Sequence, residues 1–137
     1  MNVCFRDARV SIETIKTIIA NGGGNIDMNG ELANLQVGYM VAVDEHEKRV
    51  DASADIHILH AQFNRYFERV QHYNIIAGEC AYFGVWLEHG SLVFDVSVRI
   101  SYGYGGESAL DTAYAFARKH NQRAIYDVAA QVVLPII

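Results

Sequence analysis

At 137 residues, with 51% apolar and 20% charged side chains, the chain has the size and composition of one folded domain and lacks the high-charge, low-hydrophobicity signature of disorder. Net charge is -5, and the 11 basic residues form no cluster against 16 acidic ones, which disfavours direct binding to a nucleic-acid backbone. No apolar run reaches the roughly 18 residues a bilayer span needs, and Arg6, Asp7 and Arg9 stand where a secretory signal would be apolar, so no membrane association and a cytoplasmic location are expected.

Ser11 is placed to cap a first helix over Ser11 to Ala20, whose apolar stripe is Ile12, Ile15, Ile18 and Ile19; Asn21 and Gly22 to Gly24 stop it. The Asn29-Gly30 dipeptide suits a type I′ turn and a short hairpin. From Leu35 to Val43 the alternation of Leu35, Val37, Tyr39, Val41 and Val43 predicts a strand, and the polar stretch Asp44 to Ser53 reads as a loop or strand end. Asp55 then caps a second helix to about Tyr73, with Ile56, Leu59, Phe63, Phe67 and Val70 on its buried stripe.

Two β-rich segments, Ala81 to Leu87 and Leu92 to Ile100, are joined by Glu88 to Ser91 as a hairpin. In the second, Leu92, Phe94, Val96, Val98 and Ile100 face one way and Val93, Asp95, Ser97 and Arg99 the other, the pattern of a half-buried antiparallel strand. After the glycine-rich loop Tyr102 to Gly106, Ser108 and Asp111 have capping-box spacing ahead of a third helix ending near His120. Ala124 to Val128 is a short strand, and Val132 to Leu134 a final edge strand that Pro135 ends. The expected fold class is therefore α+β, in a single domain over residues 1–137: a mostly antiparallel sheet of about five to six strands with two to three helices on one face.

Chemistry is sparsely signalled. Cys4 and Cys80 are far apart and read as buried thiols. His57 and His60, three apart on a helix with Asp55 nearby, have a spacing at which two imidazoles can share a metal, but no third ligand is set by spacing and the plain reading is a surface pair. Glu68 and His72, four apart on the same helix, would allow an acid/base pair, but the plain reading is a weak side-chain contact. The Gly103 to Gly106 loop precedes a helix N-terminus, where backbone N–H groups can meet an anion, yet it fits no phosphate-loop or dinucleotide pattern, and Glu107 would repel a phosphate. No nucleophile elbow, protease or kinase signature is present, so no catalytic residue, metal or cofactor is assigned and binding is favoured over catalysis.

The eight tyrosines are the surplus. Tyr102 and Tyr104 on the loop are candidate partner anchors, with Asp44, Glu45 and Glu47 as an accompanying acidic group.

The run Phe94, Asp95, Val96, Ser97, followed by Asn121, Gln122, Ala124, Ile125, Tyr126 and Asp127, resembles a pattern in small accessory proteins encoded by phages, prophages and other bacterial mobile elements; Val37-Gly38-Tyr39-Met40-Val41 is similar to their Gly-Tyr strand. The resemblance implies an accessory role. With the missing catalytic signatures, it sets the leading expectation: a non-enzymatic protein that binds a host protein or complex in the host cytoplasm and blocks a defence system, as anti-CRISPR proteins do. The alternative is a small-ligand- or metal-binding domain or minor enzyme using the Gly103 to Gly106 loop and the His57 and His60 face. A third is a homo-oligomer pairing through Val132 to Leu134.

Overall fold

A computed structural model describes residues 9–43, 47–77 and 81–136, the side chains of 72–77 excepted. Cys4, Asp44, Glu45, Cys80 and the side chain of His72 fall outside the described residues. In chain order the elements are α1 (Ile12–Asn21), β1 (Gly23–Ile26), β2 (Tyr39–Ala42), β3 (Lys48–Asp51), α2 (Ile56–Ala77), β4 (Ala81–Glu88), β5 (Ser91–Ile100), α3 (Ala109–Lys119), β6 (Ala124–Asp127) and β7 (Val132–Pro135). The fold is α+β. Its seven strands form one sheet in the order β1-β4-β5-β2-β6-β7, with β3 also on β5 and every pairing antiparallel.

β5 is the spine. Along one side it pairs with β4 over its first eight residues; along the other it pairs with β3 through residues 91–94 and with β2 through residues 97–100. The β4–β5 connection is a two-residue turn: Glu88 pairs with Ser91, and His89 and Gly90 both hold positive φ, 50° and 81°, as a type I′ turn demands. Asn29-Gly30 behaves differently. Only Gly30 has positive φ, so Met28 to Gly30 form a three-residue reversal, with the Asp27 carboxylate accepting from Asn29 N–H and Glu31 N–H. The returning segment makes only an Ile26–Leu32 bridge.

Helix ends follow local chemistry. Ser11 Oγ accepts the Thr14 N–H and Gly22 closes α1 at φ 80°. Asp55 accepts the His57 N–H at 2.8 Å, and Ser108 the Asp111 N–H at 3.1 Å. The helices and one sheet face share a core in which Phe63, Tyr66, Phe83 and Phe94 pack with ring centroids 4.7–5.5 Å apart. Asn64 ties α2 to the segment before α1, accepting from Val10 N–H and donating to Val10 C=O.

Three expectations need correcting. The strand expected over Leu35 to Val43 is only Tyr39–Ala42, because Gly38 at φ 108° breaks the extended run and leaves Val37 exposed. Residues within the stretch expected as a loop or strand end form β3, since Val50 fits between the sheet and the core opposite Leu92. Gly23 and Gly24, expected only as a helix stop, begin β1: Gly23 lies against Val85 C=O and opposite Trp86, and Gly24 under Leu32, approaches a side chain would block.

Candidate functional site: the recessed sheet face

Directly paired residues of antiparallel strands share a face, so the registers define what lies on the side of the sheet away from the shared core. Three rows cross it: Asn25–Gly84–Asp95 over β1, β4 and β5; Tyr82–Ser97–Ala42 over β4, β5 and β2; and Arg99–Met40–Tyr126 over β5, β2 and β6. β5 was expected to be half-buried with this side in solvent. Instead Val93, Asp95 and Ser97 are buried, as are Tyr82 and Met40, so the face is recessed.

The recess is a pocket of about 690 Å³, within the range of small-molecule sites. No residue of a described helix lines it. Its walls are largely apolar, with Met40, Ala42, Trp86, Tyr126 and Val133 around a polar floor of Asn25, Asp95 and Ser97.

Asp95 is the unusual member. It is 8% exposed, and its carboxylate occupies the space over Gly84, where a methyl group would run into Asp95 Oδ1. The glycine is thus needed for room, in a strand where glycine otherwise weakens packing. Ser97 Oγ donates to Asp95 Oδ1 at 3.2 Å, and among the described residues no cation is within ion-pair distance of Asp95. Burial pushes its pKa up to about 6; the Ser97 hydrogen bond opposes the rise and the charge of Glu47 adds to it. Beneath the sheet, the Tyr66 hydroxyl is pushed up by burial and, next, by the Asp95 charge.

The rim is held by a polar chain. Trp86 Nε1 donates to Glu88 Oε2 at 3.2 Å, Arg49 Nη2 to Glu88 Oε1 at 3.1 Å, and Arg49 Nε lies 3.7 Å from Glu47. The Trp86 hydrogen bond, then Arg49, lowers the Glu88 pKa. Glu47, singled out in the sequence for its charge, therefore belongs to this rim.

The other sequence candidates lie elsewhere. Tyr102 and Tyr104 follow β5 and pack edge to face at 5.1 Å, with Tyr104 OH donating to Tyr102 OH at 3.0 Å. Glu47 precedes Lys48, which pairs with Phe94; from there β5 runs six residues to Ile100, about 20 Å at normal strand rise, so the tyrosines and Glu47 do not form one patch. In the Gly103 to Gly106 loop, Glu107 N–H closes a turn on Tyr104 C=O and the Glu107 carboxylate accepts from Thr112, which places negative charge at the start of α3. His57 is exposed and His60 half-buried on α2, and among the described residues no group of three His, Cys, Asp or Glu side chains converges on a metal position.

Asn25, Gly84, Trp86, Asp95 and Ser97 were missed as site residues. The available signal was Asp95 itself, an ionisable residue between Phe94 and Val96 in an unbroken β-rich run. Set against protein-family models, curated proteins and solved structures, the chain finds no match in any of the three. Among the described residues no helix is long and apolar enough to cross a membrane.

Proposed function

We propose that this protein binds a small molecule in the recessed sheet face. The observation that carries the reading is Asp95: a carboxylate buried over a glycine, with no cation beside it among the described residues, on the floor of a largely apolar pocket. Burying a charge without a partner costs free energy that fold stability alone does not repay, and such groups concentrate at functional sites. Trp86, the single tryptophan, lines the pocket and reports on it directly.

Nile red, a neutral apolar dye, tests the pocket. It should bind saturably at one site and quench Trp86, and Ala42→Phe, which puts a ring into the pocket, should weaken binding at least about tenfold. Equal or unsaturable binding to both proteins would contradict the reading.

A second reading, protein binding with inhibition of a host defence complex, draws on the tyrosine pair. Tyr102 and Tyr104 are 56% and 48% exposed while joined ring to ring and hydroxyl to hydroxyl, a rigid aromatic platform of the kind enriched at interface hot spots. Expression in a bacterium defended by CRISPR should raise phage plating, and the Tyr102→Ala, Tyr104→Ala variant should lose the effect. Unchanged plating with the unaltered protein would remove this reading.

A further inference from the structure

We infer that the pocket over Gly84 takes a small organic cation, a protonated amine or amidinium on a flat apolar body, with Asp95 as its counter-ion. This rests on the recessed face being a ligand site.

Charge complementarity selects the class. Among the described residues no Lys, Arg or His lines the pocket, so an anionic ligand would meet an uncompensated carboxylate in an apolar surround. A cation meets the opposite situation. Asp95 gives one oxygen to the Ser97 hydroxyl, and an ionised carboxylate has about four acceptor positions, so it retains capacity for an N–H donor. With its pKa near 6, the group is mostly ionised at neutral pH.

The walls suit the rest of such a molecule. Trp86 is pinned by its hydrogen bond to Glu88, and Tyr126 stands 39% exposed across the pocket on β6, so two aromatic rings border the space a cation would enter. Met40, paired with Tyr126 across β2 and β6, supplies an adaptable apolar surface for the body. The basic side chains nearest in the strand registers are committed: Arg99 Nε donates to Val37 C=O, and Arg49 is held by Glu47 and Glu88.

Three probes of one shape separate charge from shape: 2-phenylethylamine, 2-phenylethanol and phenylacetate, titrated at neutral pH against Trp86 emission in the 137-residue chain. The amine should bind at least about tenfold more tightly than the alcohol, with phenylacetate weakest, and Asp95→Asn should erase the amine's advantage while keeping a cooperative urea unfolding transition. Equal affinity for amine and alcohol, a preference for phenylacetate, or an amine preference surviving in Asp95→Asn overturns the cation assignment and leaves the pocket standing on its dye binding. If none of the three binds, the cation assignment falls; if Nile red also fails, the ligand-site reading falls with it.

Discussion

The two faces of β5 carry alternate residues of one strand and have opposite designs. Toward the helices, Phe94, Val96 and Val98 enter a close-packed core of mostly aliphatic and aromatic side chains. Toward the recess, Asp95 and Ser97 are buried too but border open space, and the floor holds a charge. Burial alone therefore does not identify a core. What separates the faces is what the buried atoms touch: packed rings on one side, and a glycine with a cavity above it on the other.

Substitution should break the symmetry of burial into opposite signs. Phe94→Ala removes a ring that contacts Phe63, Tyr66 and Phe83, and should cost about 3–5 kcal/mol, read as a lowered denaturation midpoint. Asp95→Asn should act the other way. Burial raises the Asp95 pKa from the ordinary aspartate value, about 4, to about 6, so between these values the folded protein holds a proton that the unfolded chain has released. Stability from this group is complete below about pH 4 and lost as pH rises through about 6; at neutral pH the loss is about 3 kcal/mol. Asp95→Asn should therefore stabilise the protein at neutral pH by up to about that amount, with the gain vanishing at pH 4 in parallel urea titrations.

Gly84→Ala should have a smaller effect, about 1–3 kcal/mol of destabilisation from crowding Asp95 Oδ1. Adding Asp95→Ala should recover much of it; additive losses in the double-mutant cycle would show that the two positions are not coupled. Glu88→Gln should change least. Its side chain is 41% exposed, so the unfolding midpoint should hold, while loosening of the Trp86 indole should shift the emission spectrum and weaken dye binding modestly.

Fold and site were legible to different degrees because different physics sets them. The caps at Ser11, Asp55 and Ser108, the stripe of α2 and the β4–β5 hairpin are local, and their residues state them directly. β1 and β3 are tertiary. Gly23-Gly24 and Lys48-Arg49 have weak strand propensity, and it is pairing with β4 and β5 that makes them strands. The recess needed the strand order: Asn25, Gly84 and Asp95 are scattered in sequence and become neighbours only when β1, β4 and β5 align. Alternation correctly put Asp95 opposite the Phe94 face, and wrongly equated that side with solvent.

The most direct test of the central claim is a titration of the Asp95 carboxyl carbon by NMR, assigned by its loss in Asp95→Asn. A midpoint near 6, moving down on addition of 2-phenylethylamine, is the predicted result. A midpoint at the ordinary aspartate value, unmoved by the amine, would mean that Asp95 is a solvated residue on an ordinary sheet surface and would contradict the account.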